Sequence, residues 1–404
     1  MQKKRIFYVG MVCSDSYLKT IREKAFVGAA AGKMISIVSA LRTIGERAVL
    51  VSLPFVGTGP YRQPGCLCRG DGIPALFLPT WRSPVLRKML GTFSIAWFAL
   101  RRVCRHDTIL FYNHGIEYSL ALLILRVRGV AVFQDIEDLP MRTESGMRGF
   151  LNRVGFLLMV KLSATRKVTV SNQIANSLKL NNFLAIQGVF REKDALSRNE
   201  KWAQLEVGNP LRVHFGGSLN TATGLDLFCD TVVNLDTVIE PFSRSIDFIV
   251  TGIGDLNRIR NLASSLKSHW LRIEVHQGVA RRDYFKLLDS CHVSLSLRMP
   301  SSDYSSTTFP SKVIEIASRG LCLVSTSVSD VSDIFDDNSA SILAHFSVQD
   351  LSASLKFLAN NPVEVRRRAD AGFAIAKTRF SPHGVGRALA AFMDKDFDLK
   401  SANH

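Results

Sequence analysis

Pro310, Ser311 and Lys312, with Glu315 three positions on, open an apolar run in the stretch TTFPSKVIEIASRGLCLVST (307–326). A helix that starts after a tight loop presents backbone N–H groups without intrahelical partners and the positive end of its dipole, and both favour a phosphate. Pro310 suits the helix entrance and Gly320 suits the exit. Lys312 adds a full positive charge suited to a pyrophosphate. Glu315 lies one turn further along the same side, where a carboxylate accepts hydrogen bonds from a ribose diol, as acidic residues do in dinucleotide sites. Taken together these groups describe a pocket for a nucleoside diphosphate.

Such a helix needs a sheet behind it. Short apolar runs at 5–12, 46–54, 106–113, 129–135 and 164–172 read as strands alternating with helical stretches, and the pattern restarts at 211–217, 246–254, 271–278, 291–298 and 321–327. Strands that alternate with helices predict parallel sheets in α/β domains. The expected organisation is an N-terminal Rossmann-like domain over 1–185 and a polar linker over 186–210. A second Rossmann-like domain follows over 211–380, then a C-terminal helix over 381–404 that packs back on the first domain. In such sheets ligands sit at the carboxyl ends of the strands, where loops run into helices.

Composition narrows the function. The chain has 404 residues, 47% of them hydrophobic and 21% charged, enough for two packed cores of roughly 150–200 residues each. Uncharged apolar runs fall short of the ~18 residues that a membrane-spanning helix needs. The opening residues read as a first strand rather than a leader peptide, so the expected location is the cytoplasm. Seven scattered cysteines, including the pair Cys66 and Cys68, predict reduced thiols and no metal site.

The charge is unevenly placed. Residues 1–195 hold 28 Lys and Arg against 12 Asp and Glu, and the remainder holds 23 against 23. The entire net charge of +16 therefore lies in the first half, which suits a polyanionic partner. Within that half, 81–106 and 147–162 interleave Arg and Lys with Trp, Phe and Leu. This is the composition of a helix that lies on an anionic membrane surface, and equally of a core-facing helix with a solvated basic side. No nucleic-acid recognition module is discernible, and nucleic acid is not expected as a partner.

The signature at 307–326 resembles that of glycosyltransferase family 4, and the likeness extends in order through VHFGGSLNTATGLDLF (213–228), FIVTGIG (248–254) and VHQGVARRDYFKLLDSCHVSLSLR (275–298). It continues more loosely through AAAGKMISIVSALRTIG (29–45), LFYNHGIEYSLALLILRVRGVAVFQDIED (110–138) and VTVSNQIANSL (168–178). The resemblance implies the GT-B fold, two Rossmann-like domains around a cleft. It also implies metal-independent transfer of a sugar from a nucleotide donor with retention at the anomeric carbon, and no cofactor.

Carried across, Glu315 would bind the donor ribose, with Lys312, Ser311 and Pro310 near the diphosphate. Gly32 would belong to a loop approaching the phosphates from the first domain, Gly217 to the opening loop of the second, and Gly278 would line the nucleoside pocket. The chain also departs from the family pattern. Thr307 stands where a second acid is usual, and Ser218 and Thr223 stand where an Arg and a Lys are usual. Arg298, Arg281 or Arg282 would have to supply the missing charge. In place of a first-domain histidine the chain carries Gln134, Asp135, Glu137 and Asp138. One of these carboxylates, or His114, would position or deprotonate the acceptor hydroxyl. The resulting expectation is a peripheral enzyme of the inner membrane face that extends a lipid-linked saccharide, the alternatives being a non-catalytic subunit of the same fold or a nucleotide-sugar epimerase on the same architecture.

Overall fold

The computed structural model describes residues 4–394, apart from 24–27, 58–59, 71, 141–143, 191–200, 204, 206, 238–242, 303–304 and 306. The chain divides into two compact units, one formed by 1–189 with 381–404 and the other by 190–380.

The first unit is built on β1 (Arg5–Gly10), α1 (Asp15–Thr20), α2 (Ala29–Thr43) and β2 (Arg47–Ser52). Four strands follow, β3 (Arg62–Gln63), β4 (Cys66–Gly70), β5 (Ile73–Phe77) and β6 (Thr80–Trp81). Next come α3 (Pro84–Arg102), β7 (Thr108–Tyr112), α4 (Ser119–Val127), β8 (Ala131–Ile136), α5 (Gly146–Leu162), β9 (Lys167–Thr169), α6 (Asn172–Ser177) and β10 (Phe183–Ala185). The main sheet has the order β10-β9-β8-β7-β1-β2-β5-β4 and is parallel except for the β4–β5 pair at its edge. The direction of winding reverses between β1 and β7, so the loops leaving these two strands diverge and open a crevice at their carboxyl ends.

The second unit comprises β11 (Leu211–Leu219), α7 (Leu225–Asp236), β12 (Ile246–Gly254), α8 (Leu256–Ser265), β13 (Leu271–Gln277), α9 (Arg281–Asp289) and β14 (Val293–Ser296). It continues with α10 (Ser311–Ser318), β15 (Cys322–Thr326), α11 (Val331–Ile334), β16 (Ser341–Leu343), α12 (Val348–Asn360) and α13 (Pro362–Arg379). Its parallel sheet runs β13-β12-β11-β14-β15-β16, the doubly wound order whose switch point lies between the first and fourth strands. Strands covered by helices on both faces must be apolar throughout, which is why Phe248, Ile249 and Val250 in β12, and Leu323 and Val324 in β15, are buried in succession.

The polar stretch read as a linker is not free of structure. Ile186 and Val189 pack into the core of the first unit, while Trp202 and Leu205 pack into that of the second. The segment's many charges masked four apolar anchors at its ends, and 191–200 lies outside the described residues. The last helix, α14 (Pro382–Asp394), places Val385, Leu389 and Met393 in the same core as Ile37 and Leu41 of α2. Arg166 Nη1 donates to the Phe392 carbonyl at 2.9 Å.

Candidate functional site

In the second unit, Phe309 is buried and anchors the chain as it enters α10, and Pro310 adopts an extended conformation that makes it the last non-helical residue. Val313, Ile316 and Ala317 turn inward, which leaves Ser311, Lys312 and Glu315 on the accessible side. Gly320, with φ +60°, terminates the helix, its N–H donating to the Ala317 carbonyl.

Lys312 reaches the carboxyl end of β11. A Cβ placed on Gly217 would lie 2.1 Å from Lys312 Nζ, and Gly217 has φ +107°, so only glycine fits beneath the ammonium. Among the described residues Nζ has no hydrogen-bond partner. Burial lowers its pKa to about 8; Glu315 opposes this shift and Arg298 adds to it. A cation without a partner among the described residues, at a switch point, suits an anion from outside the chain.

Glu315 Oε1 accepts a hydrogen bond from the Tyr284 hydroxyl of α9 at 2.6 Å. The Tyr284 ring meets His214 of β11 edge-on, with centroids 5.8 Å apart. His214 bridges Ser294 Oγ and Thr251 Oγ1, each at 2.9 Å. Burial, reinforced by the Lys312 charge, drops its pKa to about 3, so His214 is a neutral strut rather than an acid–base group. Arg319 pairs with Asp289 and stacks 3.9 Å from the Phe285 centroid, which fastens α9 to α10.

The loop leaving β11 is pressed against β14. Gly224, with φ +81°, leaves no room for a Cβ, which would fall 2.4 Å from Leu297 Cβ. Thr223, one of the two positions lacking a family cation, uses its hydroxyl to close the turn, donating to the Asn220 carbonyl at 3.0 Å. Arg298 has one donor committed within the chain. Its Nη1 donates to the Thr308 carbonyl at 3.0 Å, tying its loop to the segment that leads into Pro310. Gly278 follows β13 with φ +65°, with open space beside it. Thr307 is buried, and its carbonyl accepts from Ser329 Oγ at 3.4 Å.

The first unit gathers its titratable groups at the carboxyl ends of β1, β7 and β8. Asp135 lies inside β8 and is fully buried, with its Oδ2 accepting from the Tyr8 hydroxyl. Lys33 of α2 lies 3.7 Å from Asp135 Oδ1 and forms a close ion pair with Glu137. Burial alone would lower Lys33, but the carboxylates of Asp135 and Glu137 reverse that shift and hold it charged. Burial raises Glu137, partly offset by Lys33. Asp138 is joined to Asn113, whose Nδ2 donates to it at 3.2 Å, and Asn113 Oδ1 lies 3.0 Å from His114 Nδ1. The His114 ring packs edge-on to Phe156, and burial lowers its pKa. Gly32 lies within the first turns of α2, where its N–H donates to the Gly28 carbonyl, rather than in the loop the resemblance suggested.

Three helices of this unit share an exposed apolar surface. On α3, Val85, Met89, Phe93, Trp97 and Leu100 face solvent at helical spacing, with Phe93 at 61% and Trp97 at 59% exposure. Leu123 and Val127 of α4 and Met147, Phe150 and Leu157 of α5 are also exposed, and α4 packs against both α3 and α5. None of the three helices contains Asp or Glu, while together they carry Arg87, Lys88, Arg101, Arg102, Arg126, Arg148, Arg153 and Lys161. Arg101 lies over the Trp97 ring, 4.6 Å from its centroid. Among the described residues no helix is long and apolar enough to cross a membrane.

Comparison with known proteins places these features in a class. Residues 237–391 match a family model described as glycosyl transferase-like, a span that contains Gly278, Tyr284, Lys312 and Glu315. No curated protein matches the chain by sequence. Solved structures resemble it over nearly its whole length. Sucrose-phosphate synthase from Thermosynechococcus elongatus superposes with a TM-score of 0.70 at 11% identity, covering 99% of this chain and 100% of that one. HepE of Anabaena in complex with UDP and glucose gives 0.64 at 14% identity, covering 97% and 100%. The E. coli trehalose-6-phosphate protein bound with UDP-2-fluoro glucose gives 0.65 at 10%, covering 97% and 99%. The fold is that of GT-B glycosyltransferase structures.

Proposed function

We propose that the protein is a glycosyltransferase that moves a sugar from a nucleoside-diphosphate donor to a lipid-linked saccharide acceptor, with retention and without a metal, in the assembly of a surface or exported polysaccharide. One observation carries the donor half of this reading: the Lys312 ammonium over Gly217, without a hydrogen-bond partner among the described residues, with the Glu315 carboxylate one turn further along. In transfer, the bond from the anomeric carbon to the donor phosphate breaks and its electrons remain on the departing diphosphate. Lys312 and the start of α10 are set where that charge develops, which is where fixed positive groups lower the barrier most. The acceptor oxygen forms the new bond to the anomeric carbon and gives up its proton, which the departing diphosphate can take. Solved relatives of the fold include complexes with UDP, glucose and a UDP-glucose analogue, which supports a nucleotide sugar as donor.

A panel of nucleotide sugars incubated with polyprenyl-diphosphate-linked saccharides tests the reading. Transfer from one of them, with release of the nucleoside diphosphate, is the expected result. A second reading, a non-catalytic subunit of the same fold, is favoured by Thr223 and Arg298, whose polar groups are engaged within the chain. Neither binding nor turnover across the panel would decide for it.

The acid-free helices α3, α4 and α5 are the proposed docking surface for an anionic leaflet at the cytoplasmic side, with the aromatic side chains in the acyl boundary and the basic ones among the headgroups. Sedimentation with anionic vesicles should fall as salt shortens the screening length from ~10 Å at 0.1 M to ~3 Å at 1 M. Changing both Phe93 and Trp97 to serine should weaken binding about ten-fold or more at any salt concentration, because each ring contributes about 1.5–3 kcal/mol on burial. Binding that ignores both changes would remove the membrane from the account.

A further inference from the structure

We infer that Tyr284 is a positioning residue that makes the site selective for ribonucleoside over 2′-deoxyribonucleoside diphosphates, by holding the Glu315 carboxylate toward the ribose and away from Lys312. The inference rests on the nucleotide-site reading above and deepens it.

Lys312 and Glu315 stand three residues apart on α10, a spacing at which opposite charges ordinarily pair along a helix. Here Glu315 Oε1 is bonded instead to the Tyr284 hydroxyl at 2.6 Å. Tyr284 is itself fixed from two sides. His214 meets its ring and is immobilised between Ser294 and Thr251, and α9 is clamped to α10 by Arg319 on Asp289 and Phe285. The arrangement therefore keeps two opposite charges apart. Lys312 stays available to a diphosphate, and the second oxygen of Glu315 stays available to a sugar hydroxyl. Without the phenol, the carboxylate is released to turn toward the ammonium, and the pair neutralises itself. A hydroxyl-reading carboxylate that has lost its orientation no longer penalises a ligand lacking the hydroxyl, because discrimination depends on a fixed polar group being left unpaired.

The test is a calorimetric titration of the full chain with UDP, GDP and ADP and with their 2′-deoxy counterparts, in the wild type, Tyr284→Phe, Glu315→Ala and the double variant. The wild type should prefer the best ribonucleotide over its deoxy form by about ten-fold, the loss expected when a charged acceptor is left unpaired. Tyr284→Phe should bring that ratio to within about two-fold, with the deoxynucleotide weakened as Lys312 is neutralised and the ribonucleotide weakened several-fold more. In the double variant the ratio should be no lower than in Glu315→Ala alone. A merely structural tyrosine would weaken ribo and deoxy ligands equally and leave the ratio intact, and that outcome overturns the inference. So does a wild type that binds a ribonucleotide with no preference over its deoxy form, although the nucleotide site itself would then stand. A wild type that binds none of the six removes the nucleotide reading and this inference with it. Phenylalanine preserves the ring packing on His214, so the variant is expected to fold; if it does not, Glu315→Gln supplies the comparison, with an expected ratio between those of the wild type and Glu315→Ala.

Discussion

Glu315→Ala is expected to reduce kcat/KM for the donor about a hundred-fold, the larger part of it through KM. A hydrogen bond to a charged group contributes about 1.5–3 kcal/mol, and each ~1.4 kcal/mol is a factor of ten. The substitution removes more than one contact. The Tyr284 hydroxyl loses its acceptor inside the packed layer between α9 and α10, and Lys312 loses the negative charge that opposes its deprotonation. The second of these acts in the direction of weaker diphosphate binding. The fold should persist, because the core-facing residues of α10 are Val313, Ile316 and Ala317 rather than Glu315. Thermal unfolding within a few degrees of wild type, together with the hundred-fold kinetic loss, is the expected combination. Donor use at the wild-type level would show that the carboxylate has no part in binding.

The second large effect belongs to Lys312 and is read through pH. Its ordinary pKa of 10.5 is lowered to about 8 by burial. The sign follows from the charge that the ligand requires. Below about 8 the ammonium is present and attracts the diphosphate. Above it the amine is neutral, and binding must first take up a proton. Nucleoside-diphosphate affinity should therefore be level from pH 6.5 to 7.5 and then decline, approaching ten-fold per pH unit. The ligand's own phosphate charge is complete by then, since its last pKa is about 6. Lys312→Met should bind about a hundred-fold more weakly at pH 7 and lose the decline, because the titrating group is gone. His214 cannot produce the same profile, since its pKa of about 3 keeps it neutral throughout. A wild-type affinity that stays level to pH 9.5, together with unweakened binding by Lys312→Met, would mean that Lys312 does not contact the anion.

Much of this was legible in the residues themselves. The second unit's strands announce themselves because doubly covered strands must be apolar along their length, and the run at 246–254 has the same limits as β12. The short edge strands β3, β6 and β16 escaped notice, since two or three residues carry no periodicity to detect. Lys312 and Glu315 could be proposed from local spacing because both lie on one helix. Tyr284 could not, because its bond to Glu315 joins residues 31 apart, brought together only by the packing of α9 on α10. The same is true of Lys33, which meets Glu137 across 104 positions of chain and partly neutralises the acidic cluster. The bond from Arg298 to the Thr308 carbonyl was likewise not legible, because it depends on how the loop after β14 folds against the entrance to α10.

The most direct measurement is a crystal structure of the chain with the nucleoside diphosphate that binds best. Phosphate oxygens within hydrogen-bonding reach of Lys312 Nζ beside Gly217, with the ribose hydroxyls on Glu315, are the predicted result. A nucleotide lodged elsewhere on the second unit, with Lys312 and Glu315 untouched, would contradict the assignment on which the donor half of the mechanism stands.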